Sequence, residues 1–201
     1  MQLYRLRFLR AAVFGGLLLV AFIFCFYALM HLNSGKQTSQ TTAAQKAAIF
    51  TDSADYSTVT FINEGITNND ADHRSIGISV SSASVILTVY QGYQKKVVST
   101  QSFINNKAAY SEFLHSLYAN GYIFQRTKPP VSSIEGQCAF GLKYTFSTTG
   151  VDKIPASLWT TSCSGSGIGT FAGKTGNVMQ LFQNQVPNYD QLVNQVNLYT
   201  L

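Results

Sequence analysis

No acidic residue precedes Asp52, and charged side chains of both signs make up only 11% of the 201 positions. A soluble domain usually carries about a quarter. Proline (4) and cysteine (3) are also scarce, which excludes a proline-rich linker protein and a disulfide-dense mini-scaffold. A disordered chain is poor in apolar residues, whereas here they reach 46%. No intact set of catalytic residues stands out. The exported part also lacks an Asn-x-Ser/Thr sequon, which favours a prokaryotic surface over a eukaryotic secretory route.

The formal charge of +5 is not evidence for nucleic acid as a partner. Arg5, Arg7 and Arg10 crowd the first ten positions, leaving 14 − 3 = 11 Lys and Arg against 9 acids elsewhere. Between Arg10 and Lys36 there is no charge at all, and residues 11–32 read AAVFGGLLLVAFIFCFYALMHL. At about 1.5 Å per residue such a helix crosses a hydrocarbon core of about 30 Å. The basic head before it predicts a cytoplasmic N-terminus and a C-terminal body outside, periplasmic or extracellular. Tyr4 and Tyr27 lie near its two ends, where aromatic rings prefer the interface. A cleaved signal peptide has a shorter apolar core and a small-x-small site. This run ends Phe26-Tyr27-Ala28-Leu29-Met30-His31, so an uncleaved single-pass anchor is expected.

The chain thus divides into a basic head (1–10), an anchor (11–32), a polar tether (33–50) and an exported domain (51–201). In that domain the expected strands are 58–63, 76–80, 84–91, 96–103, 122–127, 138–148 and 156–162. Gly92-Tyr93 marks a hairpin connection. Asn106 is placed to cap a helix carrying Tyr110, Phe113, Leu114, Leu117 and Tyr118, which Gly121 ends. Two further helices are expected over 177–186 and from Asn188 onward. The order predicts an α+β fold. Its antiparallel sheet has about five to six strands, with one central and two C-terminal helices on one face, and the membrane helix precedes it.

Cys138 and Cys163 lie on or beside neighbouring strands of the exported body, where a pair is expected to form a disulfide. Two cysteines without nearby histidines are too few for a closed zinc site, and neither a metal nor a cofactor is expected. Gly169-Thr170-Phe171-Ala172-Gly173-Lys174-Thr175 suggests a phosphate loop, but that motif needs glycine where Ile168 stands. Gly167 to Ala172 fits Gly-x-Gly-x-x-Ala, yet it falls at the end of an antiparallel body rather than in an opening βαβ unit. Asn68-Asn69-Asp70-Ala71-Asp72-His73 alternates oxygen ligands as calcium loops do. It then has His73 and Ser79 where an EF-hand loop needs Gly and Glu. No Gly-x-Ser-x-Gly elbow supports a serine hydrolase.

Ser157-Leu158-Trp159-Thr160-Thr161-Ser162-Cys163 resembles a loosened form of the Thr-Leu-x-Thr-Cys signature of sortases, which are also anchored by an N-terminal span and rich in β-structure. That resemblance implies Cys163 as a thiolate nucleophile beside a histidine, His115 or His73, and an arginine after the cysteine. The last arginine here is Arg126, so the set lacks its electrophile. The expected function is a non-enzymatic binding or assembly module at the cell envelope, partnered by an envelope protein or a polysaccharide. A cysteine transpeptidase or hydrolase using Cys163 is the alternative. Tyr90, Tyr93, Lys95 and Lys96 around the hairpin are the candidate ligand surface, able to stack on sugar rings or engage an acidic polymer. Trp159 is expected in the core beside the disulfide.

Overall fold

Alternating apolar side chains over Thr58–Glu64 (β1) turn Val59 and Phe61 inward and Thr58, Thr60 and Ile62 outward, and five antiparallel partners extend that two-sided pattern. The computed structural model describes residues 43–127, 138–163 and 168–199. The expected anchor, residues 11–32, lies outside them; among the described residues no helix is long and apolar enough to cross a membrane. The fold is α+β. Its six strands run in the order β4-β3-β2-β1-β5-β6, with β2 Arg74–Ser81, β3 Ser84–Gln91, β4 Lys96–Ile104, β5 Lys143–Thr149 and β6 Ser157–Thr161. β1 to β4 form the expected meander, each pairing with the next. β5 then returns to the other side of β1, where Phe61 faces Phe146.

The helices are α1 (residues 43–51), α2 Lys107–Ala119, α3 Thr175–Gln183 and α4 Tyr189–Val193. Asn106 is extended (φ −142°), and its side-chain oxygen accepts the Ala109 N–H at 2.9 Å, the cap that begins α2. α2 buries Tyr110, Phe113, Leu114 and Leu117, while α3 buries Val178 and Phe182. Phe182 is central to the core: its ring lies 5.2 Å from Phe113, 5.7 Å from Phe61 and 5.8 Å from Tyr122.

Several segments depart from the sequence expectation. The 33–50 tether was expected to be unpatterned, but residues 43–51 are helical and Phe50 is fully buried, stacked on Tyr122 at 5.6 Å. Alanine-rich sequence favours helix, and a single buried ring suffices to hold its end on the core. Residues 122–127 are not a strand and make only an isolated bridge, Gln125 with Phe171. The left-handed Gly121 (φ +79°) turns the chain back so that Tyr122 and Ile123 plug the core from a loop. In the 138–148 segment, β5 starts only at Lys143, because Cys138 to Gly141 form a turn closed by Gly141 N–H to Cys138 carbonyl at 3.1 Å. Trp159 is half-buried on the outer face rather than in the core; its neighbour Leu158 takes the inward position, opposite Phe146. Asn188 has a left-handed backbone (φ 56°) and makes no side-chain cap bond, so α4 is only five residues long.

A chain of buried hydroxyls ties α1 to α2. Ser53 Oγ donates to the Phe50 carbonyl (2.7 Å) and lies 2.9 Å from Ser57 Oγ, which in turn lies 3.0 Å from the Tyr110 hydroxyl. Burial pushes the Tyr110 phenol up to about 12, against the opposing pull of its hydrogen bond to Ser57. Tyr122 is raised for the same reason, its hydroxyl donating to the Ser147 carbonyl at 2.6 Å. Above the ordinary tyrosine pKa the unfolded chain loses protons that the folded one keeps. Stability is therefore complete below pH 10 and falls as pH rises toward 12. The fall expected from Tyr110 alone is on the order of 2 kcal/mol. Urea denaturation at the two ends of that range should show it, with a shallower slope for Tyr110→Phe. Equal slopes would mean that the phenol ionises freely in the folded state.

Candidate functional site: the β3–β4 hairpin and the open edge beside it

The four residues expected to form a ligand surface do meet at one end of the sheet, but most of their chemistry is used internally. Gly92 (φ +73°) turns the chain after β3, and a Cβ there would come within 2.9 Å of the Asp70 carboxylate. Only glycine fits. Lys95 also takes a left-handed backbone (φ 54°), and its N–H closes the turn on the Gly92 carbonyl at 3.0 Å. Tyr93 reaches back across the loop between β1 and β2. Its ring stacks on His73 (4.1 Å between centroids), and its hydroxyl donates to the Asn68 carbonyl at 2.9 Å and accepts the Asn68 N–H at 3.1 Å. Its own N–H donates to Asp70 Oδ1 at 2.7 Å. One face of the ring is therefore committed, and the phenol serves as a loop staple.

Tyr90 lies half-buried on the outer face, over Gly77: a Cβ at Gly77 would meet the ring at 3.0 Å. An aromatic side chain over a strand glycine restores the contact that the glycine lacks. Lys95 Nζ is 3.5 Å from Glu64 Oε1, and Lys143 Nζ shares the same oxygen at 3.3 Å. Lys96 is exposed. Arg74 donates to the carbonyls of Ala71 (2.6 Å) and His73 (3.0 Å), holding the loop rather than facing outward. With Glu64, Asp70 and Asp72 interleaved among these cations, the hairpin end is not a strongly basic surface.

Cys138 and Cys163 are joined in a disulfide, with Cα atoms 6.3 Å apart, inside the usual span of about 4.4–6.8 Å. Gly141 sits directly against it, with no room for a Cβ beside the two sulfurs. The sulfur of Cys163 is thus bonded and cannot serve as the thiolate of the cysteine-enzyme alternative. His73 is buried under Tyr93, with Nδ1 3.3 Å from the Ile66 carbonyl, and His115 is exposed on α2. Arg126 Nε donates to the Phe171 carbonyl at 2.9 Å. Among the described residues no group of three or more His, Cys, Asp or Glu could hold a metal ion. The Asn68–His73 segment is a turn in which Asp70 and Asn69 accept backbone N–H groups. Gly167 lies outside the described residues. Beyond it, the Lys174 N–H donates to the Asn120 carbonyl and Asn177 to the Asn120 side chain, each at 2.9 Å, so the start of α3 is docked on the end of α2.

The feature that sequence reasoning missed is the edge of the sheet. Every position of β4 except Phe103 is exposed, including Val97 (56%), Val98 (57%) and Ile104 (98%). The opposite edge is closed. Phe171 N–H donates to the Trp159 carbonyl at 3.0 Å, Trp159 N–H to Thr170 Oγ1 at 3.2 Å, and Thr160 Oγ1 to the Ile168 carbonyl at 3.1 Å. Residues 168–171 therefore cover β6. The outer face of the central strands carries mostly Ser and Thr, with Thr60 and Ser79 hydrogen-bonded across β1 and β2 at 2.7 Å. One signal for the open edge was present in the sequence: no charge occurs from Val97 through Asn106. Charged residues, proline and bulges are the usual protection of an edge. Compared with protein-family models and with curated proteins, the chain finds no match, so its chemistry rests on this geometry.

Proposed function

We propose that the chain is a single-pass envelope protein with a cytoplasmic N-terminus, whose α+β body acts outside the cytoplasm as a non-enzymatic binding or assembly module. The observation that carries this reading is the Cys138–Cys163 disulfide. Such a bond belongs to an oxidising compartment, and it takes up the one thiol to which a nucleophilic role could be given. The charge-free run at 11–32 supplies the anchor, and the uncovered β4 supplies a surface for another strand. A polysaccharide is the less favoured partner, because Tyr93 spends one ring face on His73 and Lys95 is held by Glu64.

Topology is tested by labelling with a membrane-impermeant maleimide in a Cys25→Ser background. Tyr56→Cys, at an exposed position of the body, should be labelled in intact spheroplasts. Gln2→Cys should be labelled only after lysis. The reverse pattern would place the body in the cytoplasm and end this reading.

A further inference from the structure

We propose that β4 pairs with β4 of a second copy of this chain, antiparallel, about a two-fold axis passing through Gln101. The inference rests on the reading of the body as an assembly module and names its partner. With residues 168–171 covering β6, β4 is the sheet edge open to another strand among the described residues. A β4-to-β6 contact would propagate head to tail into a filament, and the covered β6 blocks it. Self-pairing through β4 is isologous and closes at two copies.

The side chains select the register. Thr100, Ser102 and Ile104 face Thr88, Ile86 and Ser84 on the outer side of the sheet, while Ser99, Gln101 and Phe103 face Val89, Leu87 and Val85 on the inner side. In a two-fold antiparallel pair each residue opposes one on its own face, so a residue must sit at the axis. With Thr100 there, Ile104 would oppose Lys96. With Gln101 there, Ile104 opposes Val98, Thr100 opposes Ser102, and Gln101 meets its own copy. Lys96 then falls beyond the partner's strand. Ile104 and Val98, two of the most exposed aliphatic side chains on the body, then come together at both ends of the paired stretch, Val98 as the bulge residue of β4. No charge lies within the paired stretch, so self-pairing brings no like charges together. The ladder passes from Val89–Ser99 to Tyr90–Val97, so Val98 is the bulge residue of β4. Regular pairing runs over Ser99–Ile104, and the bulge with the lysines at 95 and 96 guards the hairpin end.

The full chain in a Cys25→Ser background is tested in membranes and in detergent. Gln101→Cys should give a covalent dimer with a short bismaleimide, whereas Glu112→Cys, exposed on α2, should not. In sedimentation, Gln101→Glu and Gln101→Lys should each weaken dimerisation by at least about tenfold. Mixing the two should restore it, because Glu then meets Lys at the axis. Restoration on mixing is not expected if either variant merely misfolds. A monomeric wild-type chain, equal cross-linking at positions 101 and 112, or no rescue on mixing would each overturn self-pairing. If topology holds while the chain is monomeric, the edge takes a foreign strand and the assembly reading survives without this partner.

Discussion

Phe61→Ala is expected to lower the unfolding free energy by about 3–5 kcal/mol, whereas Ile62→Ala, one residue along the same strand, should cost no more than about 1 kcal/mol. Phe61 is fully buried, and its ring lies 5.4 Å from Phe146, 5.7 Å from Phe182 and 6.3 Å from Tyr144. Removing it leaves a cavity where strands β1 and β5 meet α3, and packed aromatic neighbours collapse poorly into such a space. Ile62 points to the outer face and is only half-buried, so little is lost when it is shortened. Urea denaturation followed by the fluorescence of Trp159, the sole tryptophan, measures both variants. Comparable losses would mean that the outer face is covered in solution and that the sheet is buried on both sides.

That difference between adjacent residues follows from the period of two, which made β2 readable from sequence. β1 was legible as a short apolar-rich run, β3 as a continuous β-branched run and β4 from the hairpin signal at Gly92-Tyr93. Val59 and Phe61, or Ile76, Ile78 and Val80, stand alternately with small or polar residues, and the register sets Val59 against Val80 and Phe61 against Ile78. Asn106 and Gly121 marked the ends of α2 by cap chemistry that is local to the chain. Where two apolar residues stand together the period loses its phase. Leu158 and Trp159 could each have faced inward, and pairing with Phe146, distant in sequence, decides for Leu158. Tyr122 and Ile123 fail as a strand for a related reason: their hydrophobicity serves a loop that plugs the core, a role that only the tertiary packing of Phe50 and Phe182 creates.

The hairpin was legible in position, but the use of its side chains was not. Gly92 beside aromatic and basic residues located the hairpin correctly. Whether Tyr93 is a stacking platform depends on His73, twenty positions earlier and on another loop. The openness of β4 is a property of its missing neighbour. No feature of Lys96–Ile104 alone could establish it, although the lack of charge is what an edge intended for pairing requires. The disulfide was legible because the two cysteines fall on or beside neighbouring strand candidates. The structure adds that the bond ties the approach to β5 to the exit of β6.

Removing that bond is the second large perturbation. Closing a loop of 25 residues stabilises by about 3.5 kcal/mol in the chain-entropy treatment, acting mainly on the unfolded chain. Locally, the Thr67 N–H donates to the Ala139 carbonyl (2.8 Å), and Leu142 N–H to Ser162 Oγ (2.8 Å), so the turn it anchors also braces the loop after β1. Cys138→Ala with Cys163→Ala should therefore lower the unfolding free energy by about 2–5 kcal/mol. The urea midpoint should fall and the slope steepen, because the unfolded chain without the cross-link exposes more surface. The fold should persist, because the β5–β6 register is held independently by its own ladder from Lys143 to Ser147. Replacing both cysteines avoids leaving one buried thiol. Reducing the wild-type protein should produce the same shift, since Cys163 is partly exposed and open to attack. A loss below about 1 kcal/mol would show that the unfolded chain is already compact around this loop. Unchanged midpoints after reduction, with two free thiols found by mass spectrometry before treatment, would show that the cysteines are not bonded. The oxidising-compartment reading would then lose its support. The enzyme alternative would regain a thiol, although His73 is buried under Tyr93 and Arg126 is spent on the Phe171 carbonyl.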